Sequence, residues 1–386
     1  METITWNQQV VKKNNKSLVL QMVMEKEPIS RADIAQFSGL NKATVSSLVS
    51  ELLEEELIYE SGPGESSGGR RPVILHFNKV AGYAIGIDIG VNYILGILTD
   101  LNGNILIEKN ESINKTDFLF IIEEVKQMIR GLIKEMPGSR YGIVGIGIGV
   151  PGIVDREGTI LLAPNLGWKE KSLKTEIQNE FSLPVIIENE ANAGAYGEKK
   201  FGAGQNFQNI IYISAGIGIG VGIILNGELY QGHKGYSGEM GHMIIEVNGK
   251  KCSCGSRGCW EAYASEQALL TEADKEDATL EALIQLVQNG DDKSALLFEK
   301  IGSYLGYGIN NIINIFNPEK VVIGNRLAKA KTWLENSLIR TVETHALPYH
   351  QKELEISFSQ LTIYSAALGL SASVVDNFIK DGEKTA

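Results

Sequence analysis

The sequence predicts an α/β protein in two parts: a winged helix-turn-helix domain over residues 1–79 and a larger body over 80–386 made of two related α/β lobes. Three observations carry that expectation. Helical spacing with built-in caps fills most of the first 60 residues, a strand pattern near residue 88 restarts near residue 210, and all three cysteines crowd into one short loop. Length agrees, since 386 residues exceed the roughly 100–200 that one domain uses.

In the first part, Leu18, Val19, Met22 and Val23, then Ile34 and Ala35, then Leu40, Val45, Leu48, Val49, Leu52 and Leu53 recur at helical spacing, so three short helices are expected. Pro28 separates the first two. Ser30 is placed to cap the second, Ser38-Gly39-Leu40 to form the tight turn, and Asn41 to cap the third, because short oxygen-bearing side chains satisfy the free N–H groups of a helix start. The third helix opens with Lys42, Ala43, Thr44, Ser46 and Ser47. Small polar side chains and a lysine there let a backbone approach base edges and phosphates. Leu57 to Glu60 and Pro72 to Phe77 read as two strands around S-G-P-G-E-S-S-G-G-R-R, a wing whose Arg70 and Arg71 suit backbone phosphates or a minor groove. Ser30 and Arg31 complete the candidate DNA contacts.

After Asn78 the body begins with apolar strands at Gly82 to Asp88, Tyr93 to Asp100 and Asn104 to Glu108, the last two joined by Asn102-Gly103, a hairpin signal. A helix is expected over Asp117 to Lys134, a buried strand over Gly142 to Val150, a helix over Ser172 to Phe181, a strand over Pro184 to Glu188 and a helix over Glu190 to Phe201. The pattern then repeats, with strands at Ile210 to Ser214 and Val221 to Leu225 and a second hairpin at Asn226-Gly227. Such a duplication implies two lobes with a cleft between them. The first lobe is expected over about residues 80–200 plus the final helix, 365–380, and the second over about 201–364. Leu269 to Asp291 reads as an acidic, polar stretch between helices, Leu296 to Phe316 as a long helix interrupted by Gly302, Gly306 and Gly308, Lys320 to Gly324 as a strand, and Lys329 to Thr344 as a helix.

Cys252, Cys254 and Cys259 lie on a loop turned by Gly255 and Gly258. Zinc takes about four thiolate or imidazole ligands in a tetrahedron. His242 stands ten residues upstream of Cys252, across an apparent strand (Met243 to Val247) and an Asn248-Gly249 turn that would fold it back. The alternative of three reduced core cysteines sits poorly with Lys250, Lys251, Ser253, Ser256 and Arg257 beside them. A closed site of His242, Cys252, Cys254 and Cys259 is expected to hold one structural Zn2+ per chain.

The composition is 22% charged and 43% hydrophobic, with no apolar run near the roughly 20 residues of a membrane span. No membrane partner is expected. Met1 to Lys16 lacks the apolar core of a secretory signal and the cysteines suit a metal, so a reducing cytoplasm is expected. A net charge of −11 argues against broad nucleic-acid binding, yet residues 1–50 carry six Lys/Arg against four Asp/Glu.

The duplicated lobes, the glycine loop Gly216, Gly218, Gly220 and Gly222, the Glu239-Met240-Gly241-His242 motif and the run from Cys252 to Glu261 together resemble the ROK family of bacterial sugar kinases and sugar-responsive repressors. Nearly the whole chain takes part. Gly39-Leu40-Asn41-Lys42, the S-S-G-G-R-R-P wing, I-E-N-E-A-N-A-G-A-Y-G-E and S-G-E-M-G-H resemble the xylose-responsive branch of its repressors, found in Bacillus-type bacteria. The resemblance implies an actin/hexokinase-like (ribonuclease H-like) body, a homodimer on a pseudo-palindromic operator, and release by a small sugar, D-xylose. It implies a sugar in the cleft bound by Asn165, Asn189, Glu190, Glu239, His242 and Glu261, with Gly149 to Gly152 as the floor. Carboxylates and amides suit such a ligand, whose hydroxyls donate and accept. His242 would face zinc through one ring nitrogen and sugar through the other.

The competing expectation is a sugar kinase. Asp88-Ile89-Gly90-Val91-Asn92-Tyr93 stands where the family's kinases resemble D-I-G-G-T-K, Ile217 where they carry Thr, Val221 where they carry Gly, and Glu190 where they carry the Asp base; the later glycine run is Gly324-Asn325-Arg326. Phosphate needs close backbone approach and a positioned base. Neither catalysis nor a bound nucleotide is therefore expected.

Overall fold

The computed structural model describes residues 8–63, 73–274 and 278–381. Arg70 and Arg71 lie outside the described residues.

The first part is three helices, α1 (Gln8–Lys26), α2 (Arg31–Ser38) and α3 (Lys42–Glu54), with a short strand β1 (Ile29–Ser30) and an antiparallel pair, β2 (Ile58–Pro63) and β3 (Val73–Phe77). The expected caps are all present. Ser30 accepts from the Asp33 backbone while Asp33 reaches back to Ser30, Gly39 closes α2 at φ 71°, and Asn41 Oδ1 accepts from Thr44 N at 2.8 Å. Val19, Val23, Ile34, Val45, Leu48, Val49 and Leu52 form the core. That core does not end at the domain's edge: it runs on into Ala81, Ala84, Leu101, Val144, Val374 and Val375 of the body. Tyr141 Oη donates to Glu55 O at 3.0 Å and Ser17 Oγ to Ile379 O at 3.0 Å.

The body opens with β4 (Tyr83–Ile89), β5 (Tyr93–Asp100) and β6 (Ile105–Ser112), then α4 (Phe118–Glu135) and β7 (Ile143–Val150). A small sheet follows, β8 (Ile153–Val154), β9 (Ile160–Ala163) and β10 (Trp168–Lys171), then α5 (Leu173–Phe181), β11 (Val185–Asn189) and α6 (Glu190–Phe201). The second lobe has β12 (Ile210–Ala215), β13 (Ile219–Leu225), β14 (Glu228–Leu229), α7 (Glu261–Ala264), α8 (Glu266–Ala273), α9 (Leu280–Gln288), α10 (Asp292–Phe316), β15 (Lys320–Gly324), α11 (Lys331–His345) and β16 (Glu355–Phe358). Helix α12 (Ser365–Asp381) ends the described chain. The first large sheet is ordered β11-β7-β4-β5-β6 and the second β14-β13-β12-β15-β16. In each, the first three strands are antiparallel and the last two run parallel to the first. The two lobes are one design used twice.

Each sheet is covered on its inner face by one helix. Helix α12 lies on β4, β5 and β7, whereas α6, which follows directly from the first sheet, lies on β12 and β13 of the second. The two helices pack on each other between the sheets. Small residues make this possible: a Cβ at Gly197 would fall 2.0 Å from Ser365 O, and one at Gly369 would fall 1.8 Å from Ala193 O.

Three expectations need correction. Met243 to Val247 is not a strand; Ile244 bridges only to Cys259, and the alternation arises because Met243 and Ile245 rest on the second lobe's core while Ile244 is exposed. The stretch read as polar between helices contains α9, capped by Thr279 and anchored by buried Leu280 and Leu283. Helix α10 is uninterrupted, its glycines being points of close packing: Gly302 faces Leu334 and Ser337 of α11, and Gly308 faces Trp260. Among the described residues no helix is long and apolar enough to cross a membrane.

Gly369→Val is expected to cost about 1–3 kcal/mol of stability through overpacking, measured by urea unfolding. Gly138→Val, at a position with nothing within 4 Å of a new Cβ, is the control and should be near neutral.

Candidate functional site

A cleft opens at the C-terminal ends of the parallel strands of both lobes, where open α/β sheets bind ligands. Its first wall comes from Gly90 to Tyr93 after β4, Pro151 and Gly152 after β7, Asn165 beside β9, and Asn189 and Glu190 at the β11–α6 junction. The second wall comes from Gly216 to Gly220 between β12 and β13, and from Glu239, His242, Ser253, Glu261, Asn325 and Arg326. All six residues expected to meet a sugar line this one cleft.

They differ in how much capacity is free. Asn189 is the N-cap of α6: its Oδ1 accepts from Ala191 N (2.8 Å) and Asn192 N (3.1 Å), and its Nδ2 donates to Gly152 O at 2.9 Å. One amide hydrogen is left for a ligand. Glu261 Oε1 accepts from Cys252 Sγ (3.0 Å) and Ser253 Oγ (3.2 Å). Gly218 faces both Glu261 and Asn165, whose Oε2 and Nδ2 would lie 3.0 and 3.2 Å from a Cβ there, so only a glycine leaves the space between them open. Glu239 stands beside His242, Oε2 to Nε2 at 3.9 Å.

The other ring nitrogen, Nδ1, turns away from Glu239 to Cys252 Sγ at 3.6 Å. Cys254 and Cys259 have their sulfurs 3.8 Å apart, and one donor atom from each of His242, Cys252, Cys254 and Cys259 lies within 4.8 Å of the others. Metal–ligand bonds of about 2.0–2.3 Å in a tetrahedron put ligand atoms about 3.5–3.8 Å apart, so the donor set fits zinc. Burial, with Glu261 accepting from its Sγ, pushes the Cys252 thiol above the usual range, and burial does the same at Cys259. Thiolates there call for a cation. The loop is held by the Lys251–Arg257 bridge and by buried Trp260, whose Nε1 donates to Tyr304 O at 2.8 Å.

Deeper in the cleft lies a group that the sequence reading left unassigned. Tyr93 Oη donates to Asp88 Oδ2 at 2.7 Å, leaving Asp88 Oδ1 buried without a partner. Glu190 accepts from Ser214 Oγ at 2.5 Å and from Asn325 Nδ2 at 3.4 Å. Burial and then the charge of Glu190 hold the Asp88 carboxyl well above the ordinary range, and burial raises Glu190 as well. The clue was available, since an Asp ending a fully apolar strand is costly unless paired. Nothing in the spacing showed that Tyr93 would supply the hydrogen bond.

The first domain's candidates are divided. Helix α3 exposes Lys42, Ala43, Ser46 and Ser47 and half-exposes Thr44 next to exposed Asn41, all on the side away from Val45, Leu48 and Val49. Ser30 is buried with its hydroxyl taken by the capping box, and Arg31 pairs with Glu60 at 3.0 Å.

The sequence profile of the ROK family matches residues 84–377. The chain belongs to the ROK family. Over 375 residues, 97% of this chain and 98% of the relative, it is 46% identical to the xylose repressor of Bacillus subtilis (strain 168). It is 34% identical to the glucokinase of Streptomyces coelicolor over 270 residues, 64% of this chain and 83% of that one. A solved ROK family transcriptional regulator, a homolog of the E. coli MLC protein, superposes with a TM-score of 0.80 at 30% identity, covering 97% of this chain and 98% of that one. The ROK family glucokinase from Streptomyces griseus, in complex with glucose and AMPPNP, gives 0.69 at 27% identity, covering 75% of this chain and 98% of that one. Regulators match end to end; the kinases match part of the chain.

The ROK loops altered in this chain now have a structural reading. The Tyr93 ring packs on Gly90, 2.2 Å from where a Cβ would be. Across the cleft Arg326 is pinned by Glu266 (Nε to Oε2 2.8 Å) and Glu281 (3.1 Å).

Both raised carboxyls favour the protonated form, so their contribution to stability is full below the ordinary carboxylate range and is lost as pH rises through the raised values. Asp88→Asn keeps an acceptor for Tyr93 and removes one of the two charges. It is expected to be more stable than the parent at about pH 7 and to converge with it near about pH 4, in urea unfolding at both pH values.

Proposed function

We propose that this chain is a sugar-responsive transcriptional repressor that binds a pseudo-palindromic operator as a cytoplasmic homodimer and is released by D-xylose. The observation that carries the reading is the asymmetry of the cleft. Its hydroxyl-binding groups, Asn165, Glu239, His242 and Glu261, line the cleft, while Tyr93 is packed on Gly90 and bonded to Asp88 and Arg326 is engaged by Glu266 and Glu281. A cleft suited to a sugar, with the side chains of its glycine loops committed to other partners, senses rather than phosphorylates. No nucleotide is expected to bind. The inducer's identity rests on the full-length relatives that are xylose repressors.

Residues 1–79 act as the winged helix-turn-helix domain and 80–386 as the sensor. Helix α3 presents Lys42, Ala43, Thr44, Ser46 and Ser47 to a major groove, and Arg70 and Arg71 reach phosphates or the minor groove. A twofold dimer reads two half-sites spaced by whole helical turns. The acidic body, part of a chain of net charge −11, repels DNA beyond the operator.

His242, Cys252, Cys254 and Cys259 hold one structural Zn2+ per chain. Zinc supplies a cross-link that fixes the His242 ring with Nε2 toward the sugar. A sugar bridging Asn165, Asn189 and Glu190 on one wall and Glu239, His242 and Glu261 on the other makes its full set of hydrogen bonds only with the lobes closed. Emptying the operator requires about 3–5 kcal/mol of preference for the closed state. The continuous core joining the first domain to Ala84, Val144 and Val374 transmits the rotation instead of absorbing it.

Metal analysis is expected to find about one zinc per chain, with Cys259→Ser losing both the metal and thermal stability. Zinc-free protein of unchanged stability would overturn the ligand set.

The function itself is tested on a palindromic duplex selected by the parent protein from random DNA. D-xylose should weaken its binding, and by linkage the duplex should weaken xylose binding by the same factor. Glu239→Gln is expected to bind the duplex as the parent does yet resist release by xylose. Release of that variant at parental xylose concentrations would put the sugar site elsewhere.

A further inference from the structure

The loop Tyr230–Glu239 leads from β14 to the cleft residue Glu239, and it is tied down at both ends. Tyr230 N donates to Ile223 O at 2.8 Å, and Val221 N donates to Gly238 O at 3.2 Å. It is also closed on itself: Ser237 N donates to Gln231 O at 3.3 Å and Ser237 Oγ to Tyr230 O at 2.7 Å. A loop built this way moves as a unit, so whatever it rests on sets the position of Glu239.

It rests on the other lobe. Gln231 Nε2 donates to Glu188 Oε2 at 2.5 Å, Arg156 Nη2 donates to Gly232 O at 3.0 Å, and Gly235 comes so near β8 that a Cβ there would sit 2.9 Å from Val154 O. Glu188, next to Asn189 at the end of β11, uses its remaining oxygen inside its own lobe, where Oε1 accepts from Asn189 N at 2.8 Å and Asn192 Nδ2 at 3.1 Å. A half-buried carboxylate with three donors, one of them from the opposite lobe, holds its partners in one geometry. Neither Glu188 nor Gln231 is among the six expected sugar contacts.

We propose that Glu188 and Gln231 are positioning residues of the sugar site: their hydrogen bond latches the loop of the second lobe to the first and so sets Glu239 and His242 opposite Asn189 and Glu190. The proposal rests on the cleft being the sugar site. Neither latch residue lines the cleft, so the bond ties the two walls at one point and leaves their closure over the sugar to the ligand, with less ordering to drive than two untied walls would need.

The test is calorimetry of D-xylose binding to the full-length chain. Gln231→Glu sets two carboxylates at hydrogen-bond distance and should weaken binding by about tenfold or more; Gln231→Ala, which only removes the donor, should weaken it by about threefold to tenfold. Duplex affinity without sugar should stay within about twofold of the parent in both. The double variant E188Q/Q231E reverses the hydrogen bond, since the new amide still accepts from Asn189 N and Asn192 Nδ2 and now donates across the rim. It should recover to within about threefold of the parent. Parental affinity in both single variants, or a double variant as weak as Gln231→Glu, overturns the latch. A parental xylose affinity in Glu239→Gln overturns the cleft reading, and the latch with it, so the two failures are told apart.

Discussion

The structure depends on the crossing of α6 and α12 between the two sheets. Each helix packs against a sheet on its outer side and against its partner on the inner side, with backbone meeting backbone where Gly197 faces Ser365 and Gly369 faces Ala193. Contacts this close leave few rotamers to rearrange, so the seam between the lobes is tightly fitted. The seam is also connected at its ends. Helix α6 begins at Asn189 and Glu190 in the cleft and carries in its last turn Glu198, a buried carboxylate that accepts from Ser365 Oγ at 2.7 Å and Ala203 N at 2.9 Å. Helix α12 begins at that Ser365 and ends beside α1, where Ile379 O accepts from Ser17. Two rigid rods therefore run from the ligand cleft to the DNA-binding domain with one buried carboxylate at their joint.

The two cleft walls are made by different physics. The first is regular structure: strand ends and a helix N-terminus whose cap, Asn189, is itself a cleft residue. Much of the second, the stretch from Gly232 to Trp260, is almost without secondary structure and owes its shape to glycine turns, isolated bridges and the cysteine cluster. Shape in such a segment has to come from cross-links, because it has no ladder of backbone hydrogen bonds to supply it. His242 joins the two requirements, with one ring nitrogen toward the cysteines and the other toward Glu239.

Much of this was legible in the sequence wherever one residue type has one physical use. Ser30 and Asn41 as caps, Gly39 at a helix end, Asn226-Gly227 as a hairpin and the doubled strand pattern all lie where their chemistry requires. The cysteine cluster was legible because thiols in a polar loop have few other reasons to gather. The misses share a cause, which is dependence on partners far along the chain. Strand β16 is four residues long and exists through pairing with β15, the small sheet β8–β10 through its own short ladder, and α9 through burial of only two leucines. Met243 to Val247 alternates like a strand but has no neighbouring strand to pair with. In the cleft, carboxylates and amides were readable as residue types, whereas the bonds of Tyr93 to Asp88 and Gln231 to Glu188 were not, because both are set by loop conformation.

Tyr93 serves two neighbours in the cleft at once. Its hydroxyl supplies the hydrogen bond that makes a buried Asp88 tolerable, and its ring occupies the face of Gly90. Shortening this side chain would leave both oxygens of the buried Asp88 carboxyl without a partner. A change at Tyr93 therefore acts in two places at once, on a buried carboxyl and on the packing of the glycine loop, so the shape of this wall and the stability of the first sheet are tied to one side chain.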